Sequence, residues 1–257
     1  MAEGGYPEDV FDRLAALEPG HYWFESRNRL IIWAMGRYFP RAASFLDVGC
    51  GTGFVLRGLH EALPGLALTA SDAAGPGLAI ARSRVPSATF LQQDARDLDA
   101  VEAFDVAGGF DVLEHIPEDE AVLARLHRAV RPGGGVLLTV PQHPWLWSRA
   151  DAVAHHVRRY RREELVRRTR AAGFEILRVS SFVSLLLPVL AATRWMDARR
   201  KADFDLREFE VPALVNRTLG SLLAVERALI RAGVSWPAGG SLLVVARRPL
   251  LGPGEPA

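Results

Sequence analysis

The chain predicts an α/β fold, a doubly wound parallel sheet with helices on both faces, and three observations carry that prediction. Between residues 41 and 141, short apolar runs of strand length alternate with stretches of helical apolar spacing. Such alternation buries strands between two helical layers. The first run enters a loop with glycine at every second position, FLDVGCGTGFV (45–55), a tight strand-to-helix turn. After residue 141 the rhythm changes. Two later strand-like runs flank a long helical stretch, so a strand pair closes the sheet around a helical insertion.

Taken in order, residues 8–18 and 25–39 have helical spacing and frame the aromatic cluster HYWF at 21–24. Strand, glycine loop and helix follow in ASFLDV, GCGTG and FVLRGLHEAL. LALTASD (66–72) is the second strand and leads to a helix around GLAIARSRV. ATFLQQD (88–94) is a short third strand before an acidic loop, and FDVAGGF (104–110) is the fourth. EDEAVLARLHRAV (118–130) is an amphipathic helix stopped by RPGGG, and GVLLTVP (135–141) is the fifth strand. A loop (142–157) and a basic helix (about 161–172) lead to a strand at FEILRVSSF (174–182). Roughly fifty residues of helical pattern precede the last strand, SLLVVARRP (241–249), and the tail LGPGEPA is expected to fray. The chain divides into an N-terminal helical cap (1–40), a core (41–183), a helical insertion or lid (184–240), and a last strand with its tail (241–257).

Composition narrows the function classes. With 257 residues the chain can bury a substantial core, and a net charge of +1 implies no bulk attraction to nucleic acid or anionic lipid. The single cysteine, Cys50, rules out an internal disulfide and fits a reducing compartment. The acidic start MAEGGYPEDVFDRL lacks the order of a secretion signal. The longest apolar run, FVSLLLPVLAA (182–192), is about half of the ~20 residues a membrane span requires. A cytoplasmic protein is expected, one that touches the inner membrane face, if at all, peripherally through 182–201.

The glycine loop raises the question of its ligand. Dinucleotide enzymes use G-x-G-x-x-G, whereas Gly49, Gly51 and Gly53 are spaced one residue tighter. Asp47 sits at the loop mouth, where it disfavours a phosphate and favours a cation. Asp72 ends the second strand, where a carboxylate can accept both hydroxyls of a ribose, and Asp94 ends the third, within reach of an adenine amino group. Ligands of open α/β sheets bind at these carboxyl ends of strands. Three carboxylates there suit a ligand with a nucleoside, an ammonium and no phosphate, a description that S-adenosylmethionine meets.

LDVGCGTG, the acid at Asp72, QQDARDL and FDVLEHI…LHRAVRPGGGVLLTVP resemble the class I S-adenosylmethionine-dependent methyltransferases over roughly residues 20–180. The resemblance implies a Rossmann-like seven-stranded sheet, parallel except for an antiparallel final strand. It also implies S-adenosylmethionine as methyl donor and S-adenosylhomocysteine as product. By position, Asp47, Gly49, Cys50, Gly51 and Gly53 line the methionine part, Asp72 and Ala73 the ribose, Asp94 and Ala95 the adenine, and Phe110 makes the fourth-strand contact. A narrower resemblance rests on HYWFESR, FDVLEHI, the Trp147-Ser148 pair before Asp151, and His156-x-Arg158-Arg159-Tyr160. It points to a bacterial subgroup found with glycan, lipid-carrier and natural-product biosynthesis, in which the N-terminal aromatic segment caps the cofactor. Trp23 and Arg27 are then cofactor contacts, with Arg27 pairing the methionine carboxylate.

On the acceptor side, a hydroxyl acceptor is helped by a base, and His115 and His156 are the candidates, with Glu114 able to orient either. His143, Trp145, Arg159 and Tyr160 are expected to wall the acceptor pocket. No metal is expected, because there is no Cys–His ligand spacing and adjacent His155 and His156 rarely face one ion. Cys50 between glycines reads as a small filler. The run VRRYRREELVRRTR is read as a solvated helix face, with an anion site or a lip toward acidic lipid as the other reading. The primary expectation is O-methylation of a small-molecule, glycan or lipid-linked metabolite. N- or C-methylation of a natural-product or peptide acceptor, and non-catalytic binding of S-adenosylmethionine, stay open. A nucleic-acid acceptor is disfavoured, since no Asn/Asp-Pro-Pro-aromatic signature follows the fourth strand, where FDVLEHI stands.

Overall fold

The computed structural model describes residues 8–197 and 211–250. The expected tail, the start of the cap and the 198–201 part of the apolar-to-basic segment lie outside these residues. Helices α1 (Glu8–Leu17) and α2 (Tyr22–Tyr38) precede β1 (Ser44–Val48), α3 (Phe54–Ala62), β2 (Ala67–Asp72), α4 (Gly75–Arg84), β3 (Thr89–Gln92) and β4 (Phe104–Phe110). Then come α5 (Asp119–Ala129), β5 (Val130–Pro141), α6 (Arg149–Val153), α7 (Arg162–Ala171), β6 (Glu175–Phe182), α8 (Leu187–Asp197), α9 (Ala213–Arg231) and β7 (Ser241–Arg247). The strands form one seven-stranded sheet in the order β3-β2-β1-β4-β5-β7-β6. Only β7 runs against its neighbours, antiparallel to both β5 and β6.

Alternation along the strands sorts side chains into two cores, because successive residues point to opposite faces. Phe45 joins Leu30, Ile31, Met35, Leu56 and Leu59 beneath α2 and α3. Its neighbour Leu46 joins Leu123, Leu126, Leu165 and Phe174 beneath α5 and α7. Each fully buried side chain of this size contributes about 1.5–3 kcal/mol. Helix α9 packs against the α2 face, where Asn216 accepts from the Tyr22 N–H at 2.9 Å and donates to the Gly20 carbonyl at 2.8 Å. Among the described residues no helix is long and apolar enough to cross a membrane.

Three boundaries differ from the sequence reading. The HYWF cluster does not precede α2 but opens it: His21 is the N-cap, its Nδ1 accepting from the Trp23 N–H. The RPGGG run is not a turn before β5 but its first part. Val130 pairs with Phe104 across a register shift, and Gly133, at φ +83°, lets the strand keep bonding to the Arg248 backbone. Asp94 lies two residues past β3, capping a short 3₁₀ turn at Ala95–Asp97. The arginine run is also less free than a solvated face. Arg158 and Arg168 pair with buried Asp119, and Arg162 donates to the Val179 and Trp236 carbonyls.

Candidate active site

A cavity of about 1340 Å³ opens at the carboxyl ends of β1, β2, β4 and β5, roofed by α1, α2 and α8. Its floor is the glycine loop. Gly49, Gly51 and Gly53 all have positive φ, and the Gly49 and Cys50 N–H groups donate to the Ser71 carbonyl. A Cβ at Gly53 would lie 2.7 Å from that of Ala81, and one at Gly49 would meet Val112 at 2.5 Å. Both positions therefore require glycine for conformation and for space. Asp72 fastens the loop: its Oδ2 accepts from the Gly51 N–H and its Oδ1 from the Ala74 N–H, each at 2.8 Å. One lone pair on each oxygen remains for a ligand. From above, buried Glu18 at the end of α1 accepts from the Thr52 hydroxyl and from Arg84, which also donates to the Ala15 and Thr52 carbonyls.

Asp47 is buried, and its Oδ1 has no hydrogen-bond partner. Burial pushes its carboxyl up to about 8, with Arg27 pulling it back and Asp72 adding to the rise. Arg27 forms an ion pair with Asp111 and lies 4.5 Å from the centre of the Trp23 ring. The guanidinium expected to meet a ligand carboxylate is thus already shared with a protein carboxylate. Asp111 follows β4 in the left-handed region, at φ +58°, an uncommon conformation for a residue with a side chain. Ala73, Ala95 and Phe110 border the cavity, Phe110 stacked on Phe45 with centroids 6.4 Å apart. Asp94 borders it too, but Arg96 grips both of its oxygens and, ahead of the opposing effect of burial, holds the carboxyl below its usual range. Cys50 lines the floor as a thiol that burial, then Asp47 and Asp72, push up, so it is no nucleophile.

Across the cavity stand the two histidines. His115 and His156 meet edge to face, with ring centroids 4.6 Å apart. Burial, then His156, lowers His115 to about 4, so its ring is neutral near pH 7. His156 is oriented by Asp151 rather than by Glu114: its Nδ1 lies 2.9 Å from Asp151 Oδ1. Asp151 is itself fixed, accepting from Ser148 N–H and Oγ in a capping box and from Arg159 Nε at 2.9 Å. Burial opposes its ionisation, but His156, Arg159 and Ser148 together hold it down at about 2. Glu114 is fully buried, and both of its carboxylate oxygens lack partners. Burial and then Asp111 raise its pKa well above the ordinary value. One donor atom each of Glu114, His115 and His156 lies within 4.8 Å of the others.

The expected acceptor wall divides. Arg159 borders the cavity while bracing Asp151 and donating to the Gln142 and Leu146 carbonyls. Tyr160 is wholly buried away from it, its hydroxyl directed to Asp119 and the Leu113 carbonyl. The H-x-R-R-Y motif thus ties the loop after β5 to the loop after β4. His143, at φ +64°, turns the chain so that its own ring and that of Trp145 pack on each other outside the cavity. Leu146 and Trp147 line it in their place. Asp111 stood inside the FDVLEHI motif without a role assigned to it, and the Glu18–Thr52–Arg84 cluster carried no signal in the sequence, whereas Asp151 did, as the acid three residues after Ser148.

A sheet of this order, with one reversed strand and a glycine-loop cavity at its carboxyl edge, defines a methyltransferase-type fold. The methyltransferase domain model matches residues 14–179, and the chain belongs to that family. It is 36% identical over 154 residues to the ubiquinone biosynthesis O-methyltransferase of Pseudomonas syringae pv. tomato, covering 57% of this chain and 64% of that protein. It is 32% identical over 171 residues to the malonyl-[acyl-carrier protein] O-methyltransferase of Pseudescherichia vulneris, covering 63% of this chain and 66% of that one. The chain therefore spans just under two thirds of either relative. Among solved structures, a Haloferax volcanii complex of the Trm112 methyltransferase activator with a putative methyltransferase matches with a TM-score of 0.63 at 22% identity, over 95% and 98% of the two chains. Phosphoethanolamine N-methyltransferase 2 of Haemonchus contortus, solved with S-adenosyl-L-methionine, matches with a TM-score of 0.59 at 20% identity, over 86% of this chain and 52% of that one. At these identities the structural likeness speaks for the fold.

Proposed function

We propose that this chain is an S-adenosylmethionine-dependent methyltransferase that methylates an oxygen of a small-molecule, glycan or lipid-linked acceptor. The observation that carries the reading is the Asp151–His156 pair facing, across one cavity, the glycine loop with Asp47 and Asp72. The family supports the donor, and both curated relatives quoted are named as O-methyltransferases. Asp47 is the counter-charge for the ligand's ammonium, Asp72 takes the ribose hydroxyls, Asp94 and Ala95 border the adenine side, and Phe110 makes the fourth-strand contact. Trp23 and Arg27 close the roof.

Asp151 holds His156 with Nδ1 protonated, leaving the Nε2 lone pair to receive a proton. The acceptor O–H gives its proton to Nε2, the oxygen pair forms the new C–O bond, and the C–S bond breaks with its electrons left on sulfur. Sulfonium becomes thioether, and the charge is carried off as imidazolium. Holding acceptor and methyl in line supplies much of the acceleration. The exposed apolar groups Trp147 and Val189, which line the cavity, and exposed Trp195 on α8 favour an acceptor with an apolar portion and a peripheral membrane contact through α8.

Methyl-labelled S-adenosylmethionine, incubated with the protein and an extract of the source cells, tests the reading. Label in the organic phase supports a lipid-linked acceptor, and label in the aqueous phase a small polar one. Cofactor binding without any transfer would replace the enzyme by a binding protein.

A further inference from the structure

Among the cavity's polar groups, three buried atoms around His115 have no partner. Glu114 has no exposure, and neither carboxylate oxygen accepts a hydrogen bond. His115 Nδ1 is likewise bare, and His156, fixed by Asp151 at 2.9 Å, brings a ring nitrogen within 4.8 Å of a donor atom on each of them. A buried carboxyl without partners is neutralised, paired or bound to a metal, and the two cations that act on this one are engaged, Arg27 by Asp111 and Arg159 by Asp151.

We propose that Glu114, His115 and His156 form a site for one divalent transition-metal ion, open toward the cavity. Their donor atoms lie within 4.8 Å of one another. Ligands on one tetrahedral zinc ion, at ~2.0–2.1 Å each, stand roughly 3.3–3.5 Å apart, so side-chain shifts of about an ångström gather them. The surroundings are those a metal-bound imidazole requires, with its other ring nitrogen held by a carboxylate or a backbone carbonyl. Asp151 does this for His156, and the Ala154 backbone does it for His115. Two imidazoles and one carboxylate select zinc, iron(II) or manganese over magnesium and calcium, which prefer all-oxygen sites. Three protein ligands leave coordination positions facing the cavity, the pattern of catalytic rather than structural metal sites.

What the ion does there rests on the methyl-transfer reading; that it binds does not. An acceptor hydroxyl entering an open position loses its proton to solvent as its oxygen binds the ion. His156 Nε2 cannot hold the ion and accept a proton together, so in the metal-loaded protein the ion replaces the histidine base.

The test is calorimetric titration of the chelator-treated full chain with zinc chloride, with S-adenosylhomocysteine titrated in parallel. One zinc per chain is expected. Glu114→Gln and His115→Ala should each weaken it by more than the roughly 10–100-fold expected of the outer-shell variant Asp151→Asn. His60→Ala, on the outer helix α3, should leave it unchanged. Retained S-adenosylhomocysteine binding shows that each variant is folded. Should the variants not fold, cobalt(II) added to the wild type should give visible bands more intense than those of the free aqua ion. No one-to-one zinc binding at millimolar concentration, equal affinity in Glu114→Gln and His115→Ala, or a free-ion cobalt spectrum overturns the metal site. Wild-type protein that binds zinc but not S-adenosylhomocysteine overturns the methyl-transfer reading and leaves the metal site standing.

Discussion

The two walls of the cavity are built on opposite plans. On the glycine-loop wall, carboxylates are satisfied by their own chain: Asp72 accepts two backbone N–H groups, and Asp94 caps a turn and holds Arg96 two residues on. On the facing wall the polar atoms come from distant segments and several have no partner, with Glu114 and His115 Nδ1 bare. A wall that satisfies itself is shaped before the ligand arrives and binds with little rearrangement. The facing wall keeps unsatisfied polar atoms in reserve and is completed by what it receives. Asp47 belongs to the first wall by position and to the second by its bare Oδ1.

Several substitutions break or sharpen this contrast, and the largest effect falls on the loop wall. Asp72→Ala removes both loop anchors together with the ribose acceptor, and S-adenosylhomocysteine binding is expected to vanish in calorimetry. Wild-type affinity in that variant would sink the placement of the ligand. Next, His156→Ala should leave that binding intact while kcat falls by roughly 10²–10⁴. Equal losses in binding and turnover would mean that the walls are not separable. Gly53→Ala drives a Cβ to 2.7 Å from that of Ala81 at a positive φ, and a melt should show a loss of about 1–3 kcal/mol.

Asp47 gives a smaller and more specific signal. Its raised pKa, about 8, leaves it largely protonated at pH 7 in the free protein. A ligand ammonium favours the ionised form, so binding releases a proton, and affinity rises with pH until about 8 and then levels. Calorimetry of S-adenosylhomocysteine in buffers of different ionisation enthalpy measures that proton, and Asp47→Asn should abolish it. Proton uptake instead would place the ammonium elsewhere. Smallest of all, Trp145→Ala removes an exposed ring outside the cavity. It should move stability by less than about 0.5 kcal/mol and leave S-adenosylhomocysteine affinity unchanged.

The loop wall was legible in the sequence because its chemistry is local. Glycines at alternate positions and acids at successive strand ends stand where short-range pattern puts them. The seven strands were legible for the same reason, whereas the reversal of the last came only from the family resemblance. Partners brought together only by folding were not. Arg27 and Asp111 are 84 residues apart, so nothing in HYWFESR announces that its arginine is already engaged. The H-x-R-R-Y motif stood out as a unit, yet its tyrosine points to Asp119, 41 residues away, and away from any acceptor. Glu114 and His115 looked like a base and its helper. Only the return of the chain at His156 makes them two of the three members of a cluster, and the spacing argument against a metal weighed the neighbouring pair His155–His156.

The position of β7 between β5 and β6 has a consequence for biosynthesis. As the chain leaves the ribosome, β1 to β5 can pair with neighbours already made, but β5 keeps a bare edge and β6 has no partner until residues 241–247 emerge. At about 5–20 residues per second, the interval between the end of β6 and the end of β7 lasts several seconds. Throughout it the apolar faces of both strands are open to other chains, the condition under which strands pair wrongly. Nascent chains stalled before residue 241 should therefore draw chaperones and proteases, whereas chains stalled once β7 has cleared the exit tunnel should resist them.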